Sequence, residues 1–328
     1  MRSETILITG IGGQDGAYLA YNALKRGFKV IGITSSLNQN FFNLRYLDIL
    51  KHVQLEEIRF NSLEKLKNLI AVEGPSTIIN LASQSSVGLS FKNPKQTMEI
   101  NYAYFCKLID VCFSVDESIK IFQASSSEMF GNSTNEKITE QDGYNPLSPY
   151  ALSKVLAHET AIYHRNILNR SISTGIMFNH ESVLRPDKFV IRKILNYLFN
   201  KNYKSHVLEL GNIQIKRDWG YAPEYTQAIL DILNLEQCDD FIISTGTMIS
   251  LEQMIQNLFD EFNLNYLDYV SINSEFIRKN DIVQNCGDNR KLREMTGWNP
   301  KVHGRNLAKK LIEDEYAFRK FKLEQYGE

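Results

Sequence analysis

The chain has no excess of charge of either sign. In 328 residues, 37 Lys and Arg stand against 38 Asp and Glu, a formal net charge of −1. A general nucleic-acid binder carries a net basic excess, so that class is set aside, and any anionic partner must be met by a few locally placed cations. The chain also has no apolar run of about 18 residues, the length a membrane-crossing helix needs. Met1-Arg2-Ser3-Glu4 leads into only five largely apolar residues, Thr5–Thr9, too few for a signal peptide. The expectation is a cytoplasmic protein with no membrane partner. Cysteine is scarce: Cys106, Cys112, Cys238 and Cys286 form no C-x-x-C pair and fall short of a disulfide scaffold. Free, mostly buried thiols are expected. His158 and His164 lie six residues apart, off the i, i+4 spacing of a helical zinc site, so no metal centre is expected.

What is present is an ordinary globular composition, 43% hydrophobic and 23% charged, in a chain too long for one hydrophobic core. In the first half, short apolar runs alternate with helical patterns: Thr5–Thr9, Gly16–Arg26, Lys29–Ile33, Leu63–Glu73, Thr77–Asn80, Thr97–Phe113 and Ile119–Ala124. That rhythm predicts βαβ units and a parallel sheet covered on both faces. A helix from Tyr150 to about Asn169 and a strand at Ser173–Phe178 follow, after which the spacing is irregular. The fold class is α/β: a Rossmann-like doubly wound parallel sheet with a smaller, mostly C-terminal α/β substrate domain. Residues 1–174 plus about 216–248 are assigned to the dinucleotide domain, and about 175–215 plus 249–328 to the second. Gly304–Gln325 reads as a charged, solvated surface helix.

Between the first strand and the first helix lies Gly10-Ile11-Gly12-Gly13-Gln14-Asp15-Gly16. Glycines there let backbone N–H groups approach a pyrophosphate, and the helix N-terminus adds a favourable partial charge. The second strand ends at Ile33-Thr34-Ser35-Ser36 with no Asp or Glu to bind ribose hydroxyls. Ser35, Ser36 and Arg45 are candidates for a 2′-phosphate, which favours NADP without excluding NAD.

Tyr150 and Lys154 stand i, i+4 at a helix start and project from one face. A lysine ammonium beside a phenol favours the phenolate, which can take a hydroxyl proton while hydride leaves the same carbon. The preceding strand ends in Ala124-Ser125-Ser126-Ser127-Glu128, where side chains of a doubly wound sheet meet the ligand crevice. Ser126 or Ser127 can bond the reacting hydroxyl. Hydride transfer needs no carboxylate, but removing a proton alpha to a carbonyl does, so Glu128 points to a lyase.

With these motifs the chain resembles the GDP-mannose 4,6-dehydratase family of extended short-chain dehydrogenases. The likeness runs almost end to end, through Asn80-Leu81-Ala82-Ser83-Gln84-Ser85, Phe178-Asn179-His180-Glu181-Ser182, Phe189-Val190-Ile191-Arg192-Lys193-Ile194 and Lys216-Arg217-Asp218-Trp219-Gly220. The resemblance implies oxidation of a hexose at C4 by Tyr150, Lys154 and Ser126, loss of the C5 proton to Glu128, expulsion of water from C6 and return of hydride to C6. It implies dinucleotide contacts at Gly10, Gly13, Gln14, Asp15, Gly16, Asn61, Leu81 and Ala82. A GDP-sugar is implied at Ser85, Ser127, Asn179, Val190, Lys193, Gly211, Arg217, Arg278 and Asp281. GDP-mannose leads as substrate, with a GDP-N-acetylhexosamine or GDP-heptose as rivals. A homo-oligomer, dimer or tetramer, is implied, its Ser35–Arg45 loop reaching a neighbour with Phe41-Phe42 buried against it. The competing readings are an epimerase or 4-ketoreductase of the same fold, which has no evident need for Glu128, and a non-catalytic nucleotide sensor.

Overall fold

A computed structural model describes residues 4–60, 62–201, 206–277 and 280–327. Asn61 and Arg278 lie outside the described residues. Six parallel strands form, β1 (Thr5–Thr9), β2 (Lys29–Thr34), β3 (Val53–Glu57), β4 (Thr77–Asn80), β5 (Lys120–Ser126) and β6 (Ile172–Met177); five match the apolar runs, and β3, half-buried and polar in sequence, had no such run to mark it. Short strands β7 (Asn179–Glu181), β8 (Leu208–Leu210), β9 (Lys216–Arg217) and β10 (Trp219–Tyr221) follow, and β11 (Asp240–Ile243) returns to the main sheet. The strand order is β11-β6-β5-β4-β1-β2-β3. Its direction reverses between β1 and β4, the switch point at which such sheets open a ligand crevice. Every residue of β1, β4 and β6 is buried, which explains runs that are apolar throughout rather than alternating.

Helices cover both faces. On one, α1 (Gln14–Lys25) and α2 (Phe42–Tyr46) lie with α9 (Ala222–Leu233), whose Thr226 and Asp231 bond Asn22 (2.9 Å) and Arg26 (2.7 Å) of α1. On the other, α3 (Leu63–Glu73), α4 (Val87–Lys92), α5 (Pro94–Met98), α6 (Tyr104–Val115) and α7 (Pro149–Asn166) follow one another. Leu66, Ile70, Phe105, Leu108, Ile109 and Ala161 form the core beneath them. A separate apolar cluster joins α8 (Val190–Leu198), α10 (Leu251–Asp260) and α12 (Gly304–Tyr326) through Ile194, Leu195, Met254, Leu258, Leu307 and Leu311. Small sheets edge this region: β12 (Ile249–Ser250) and β14 (Gln284–Asn285) flank β9, β13 (Val270–Ile272) pairs with β8, and β10 pairs with β7. Helix α11 (Arg290–Thr296) packs against β11. No helix of the described residues is long and apolar enough to cross a membrane.

Three expectations are corrected. The helical pattern Thr97–Phe113 is interrupted by a π turn at Glu99–Ala103, which buries Asn101. Helix α12 is more than a solvated element. It buries Leu307, Leu311, Ile312 and Phe318, and its Glu315 pairs with buried Arg192 of α8 and with Arg319 (2.8 Å). The Phe41-Phe42 pair tucks onto its own subunit: Phe41 is buried, and Phe42 meets Phe318 and Phe321 edge-on at 5.3 and 5.8 Å.

Candidate active site

The strand ends at the switch point open into a cleft of about 870 Å3. Its floor is the glycine turn after β1. Gly10 has a φ of +74°, and a Cβ there would sit 2.9 Å from the Ala82 nitrogen; one on Gly16 would sit 2.3 Å from the Gly10 carbonyl oxygen. Side chains are therefore excluded and the backbone lies bare. No side chain caps the first turn of α1, whose N-cap is Gly13. An uncapped N-terminus of a 12-residue helix in a glycine cradle suits a pyrophosphate.

Gln14 and Asp15 line the same floor, but their side chains are engaged with the β7 segment. His180 Nε2 bonds Asp15 Oδ1 (3.0 Å), Ser182 Oγ donates to Gln14 Oε1 (2.8 Å), and Gln14 Nε2 donates to the His180 carbonyl (3.4 Å). Burial alone raises the Asp15 carboxyl, yet His180 and Arg185 together hold it down at about 2. The Phe-Asn-His-Glu-Ser run thus locks the start of α1 in place.

A buried polar chain crosses the strand ends. Thr9 Oγ1 donates to Asn80 Oδ1 (2.7 Å), Asn80 Nδ2 to Gln123 Oε1 (2.7 Å), and Gln123 Nε2 to the Ala124 carbonyl (3.1 Å). Lys154 Nζ donates to that same carbonyl at 2.9 Å. Asn101, from the π turn, bonds Gln84 through both backbone groups and donates to Ser153 Oγ (3.0 Å), tying the loop after β4 to the helix that bears Tyr150 and Lys154. Behind β5, Ser125 Oγ lies 2.7 Å from His158 Nδ1, and burial holds His158 down at about 4, so its ring is neutral.

Tyr150, Lys154, Ser126, Ser127 and Glu128 all line the cleft. Lys154 Nζ lies 5.9 Å from the Tyr150 ring centroid. Burial dominates both groups. It pushes the tyrosine up to about 12, with the Glu128 charge adding and a Ser126 hydrogen bond opposing, and it lowers the lysine to about 8. In the protein alone, burial of the phenolate sets the direction of the phenol's shift.

The model of the GDP-mannose 4,6 dehydratase family matches residues 7–311. GDP-mannose 4,6 dehydratase 1 of Arabidopsis thaliana is 35% identical over 326 residues, covering 96% of this chain and 90% of the relative. The chain belongs to the GDP-mannose 4,6-dehydratase family. The human GDP-mannose 4,6 dehydratase is 30% identical, covering 93% of this chain and 90% of its own. Among solved structures, UDP-glucose 4-epimerase of Thermotoga maritima with UDP-glucose superposes with a TM-score of 0.85 at 20% identity, covering 97% of this chain and 99% of that one. The dTDP-glucose 4,6-dehydratase of Bacillus anthracis in complex with NAD gives 0.85 at 16%, covering 97% and 98%. At such identity these two share the fold.

Within this family member, the Phe-Val-x-Arg-Lys-Ile run splits by helical face: Phe189, Val190 and Lys193 face the cleft, while Ile191, Arg192 and Ile194 are buried. Ser85, Leu81, Ala82, Asn179, Gly211, Arg217 and Asp281 also line it. Arg217 is buried, donates to the Lys216 carbonyl (2.9 Å) and reaches Asp281 at 3.4 Å. Gly10, Gly13, Gly16 and Ser35 line the dinucleotide end, but Ser36 and Arg45 do not. The Ser36 carbonyl accepts from Gln39, and Arg45 Nε donates to the Asn40 carbonyl at 2.8 Å. Sequence reasoning missed Gln39, Asn101, His180 and Arg185. Asn101 carried a signal, a polar residue at an inward position of an amphipathic pattern. Gln39 and Arg185 carried none, since only the folded loops aim them.

Proposed function

We propose that this protein is a GDP-mannose 4,6-dehydratase using Tyr150, Lys154, Ser126 and Glu128. It is a nucleotide-sugar 4,6-dehydratase, a hydro-lyase. Glu128 beside Tyr150 in one cleft carries the reading, because a carboxylate there serves water loss and not a simple ketone reduction. A nicotinamide adenine dinucleotide fits the residues present: the Gly10–Gly16 cradle, where a Cβ on Gly10 or Gly16 would clash, would hold the pyrophosphate, with Leu81 and Ala82 beside it. When bound, it supplies a reversible hydride store, taking hydride from C4 and returning it to C6.

Tyr150 takes the O4 proton as the C4 ketone forms, with Ser126 holding the hydroxyl. Lys154, anchored on the Ala124 carbonyl, keeps its ammonium near the phenol. The ketone acidifies C5, whose proton moves to Glu128 and then onto the C6 hydroxyl, which leaves as water. The proton taken from O4 balances the one regained at C5, so one water is lost and the hydride is conserved. Arg217, Lys193, Asn179, Ser85 and Asp281 line the GDP-sugar end, where forked guanidinium donors suit diphosphate oxygens.

The two-region reading, 1–174 plus about 216–248 against the remainder, is supported by the separate apolar cluster of α8, α10 and α12. Homo-oligomerisation belongs to the same proposal. Leu152 and Tyr163 of α7 and Ile167 at its C-terminal end are exposed apolar side chains that a second copy would cover. Light scattering on a sizing column giving only a monomer would remove that part.

The test incubates purified protein with GDP-mannose and a panel of GDP-, UDP- and dTDP-sugars, read by mass spectrometry. The expected product has lost one water with no net use of reduced cofactor. Stoichiometric consumption of NADPH would instead establish the ketoreductase, and no turnover of any sugar the sensor.

A further inference from the structure

Resting on the reading that a dinucleotide fills the cleft, the adenosine end is open to a sharper statement. With the pyrophosphate at Gly10–Gly16 and the chemistry at Tyr150, the adenosine falls against the ends of β2 and β3, where Thr34, Ser35, Gln39, Ile58 and Phe60 form the wall. Among the described residues, the cations on the cleft wall are Lys154, Arg185, Lys188, Lys193 and Arg217. They come from α7, from the segment 185–193 and from β9, and none comes from the adenosine end.

The cations near that end are already matched. Arg45 is turned to the Asn40 carbonyl. Arg59 Nη2 donates to Glu57 Oε1 at 3.1 Å, and Lys65 Nζ donates to the Glu57 carbonyl (2.8 Å) and lies 3.8 Å from Glu56. The N–H of Leu37, in the loop after β2, is a donor that an anion there would use. Glu57 Oε2 accepts it at 3.0 Å, so a carboxylate already stands on it. That bond, first among the causes, holds the Glu57 carboxyl below its ordinary value and keeps it ionised.

Gln39 adds the complementary half. Its Nε2 donates to the Ser36 carbonyl (2.8 Å) and to Thr34 Oγ1. A carbonyl can only accept, so the amide orientation is set, and Oε1 faces the cradle, 3.7 Å from where a Gly12 Cβ would stand. An acceptor suits a ribose hydroxyl and not a phosphate oxygen.

We propose that this chain selects NAD over NADP, and that Glu57, seated on the Leu37 N–H, sets the selection with Gln39 Oε1 receiving a ribose hydroxyl. A 2′-phosphate would bring up to two negative charges near a carboxylate just behind that wall, find no free cation on the wall among the described residues, and replace the 2′-hydroxyl, leaving Gln39 Oε1 only the 3′-hydroxyl. This runs against the expectation of NADP drawn from Ser35, Ser36 and Arg45.

Calorimetric titration of nucleotide-free protein with NAD and with NADP tests this without turnover. NAD is expected to bind at least about tenfold tighter, the scale of one charge-assisted hydrogen bond. Glu57→Gln should narrow the ratio through a gain for NADP, and Ser35→Arg should narrow it further, most strongly at low salt. NADP binding as tightly as NAD to the unaltered protein would overturn the selection while leaving the cofactor reading standing. An unchanged ratio in Glu57→Gln, with NAD affinity retained, would overturn the role of Glu57. Failure of both nucleotides to bind would overturn the cofactor reading and this proposal together.

Discussion

In the proposed mechanism Glu128 separates the dehydratase from a ketoreductase of the same fold. Replacing it with Gln removes the base at C5, keeps the Tyr150 hydroxyl in place and takes away one charge that raises the phenol. Glu128→Gln should therefore lower kcat for water loss by about 10^2–10^4, the usual contribution of a positioned acid–base group. Exchange of hydrogen at C4, followed with deuterated substrate, should persist; full dehydratase activity in the variant would remove the residue from the mechanism. Lys154 makes a second prediction, with its sign set by burial. Its amine is lowered to about 8 in the folded protein from the ordinary value of 10.5. Between those values the unfolded chain binds the extra proton, so stability of the protein without ligands rises as pH goes from 8 to 10.5. Below pH 8 the buried ammonium costs up to about 3 kcal/mol. Lys154→Met should thus raise Tm at pH 7 while nearly abolishing turnover. The Ala124 carbonyl keeps a donor in Gln123. In the unaltered enzyme kcat/KM should fall through about pH 8 on its alkaline side as this proton is lost.

Elements show where local pattern suffices and where it fails. The βα alternation locates the parallel strands because a strand buried on both faces is apolar throughout, as β1, β4 and β6 are. The 3.6-residue period over Thr97–Phe113 does not reveal the π turn at Glu99–Ala103, since one extra residue in a turn shifts the pattern only slightly. That turn lets Asn101 bind Gln84 and Ser153 together. Asn101→Leu should lower kcat by about tenfold or more through a displaced Tyr150, with little change in nucleotide affinity by calorimetry. Helix α12 reads as solvated because its charges dominate the count, yet one of them, Glu315, is wholly buried on Arg192. Breaking that pair from one side leaves a buried charge unmatched. Glu315→Gln should cost about 3–5 kcal/mol in denaturant unfolding, while Lys320→Gln on the exposed face should change stability by about 0.5 kcal/mol or less.

At the scale of the molecule, a chain of net charge −1 has to hold ligands with several negative charges. Backbone N–H groups at Gly10–Gly16 and a few cations at the opposite end of the cleft, Lys193 and Arg217 among them, are placed to do so. Arg217→Gln should weaken GDP binding by about tenfold or more in calorimetry, whereas Lys320→Gln on α12 should leave it unchanged. By itself the sequence determined the parallel strands, the glycine turn after β1 and the i, i+4 placement of Tyr150 and Lys154 on α7. Each rests on residues close in the chain, where strand burial, φ preference and helical spacing are local matters. Only the tertiary structure decided which side chains meet across the cleft: that Gln14 and Asp15 are engaged by His180 and Ser182, that Arg45 turns away, and that Glu57 stands on Leu37. Those contacts join residues from separate elements, and no local pattern encodes where loops from different strands come to rest.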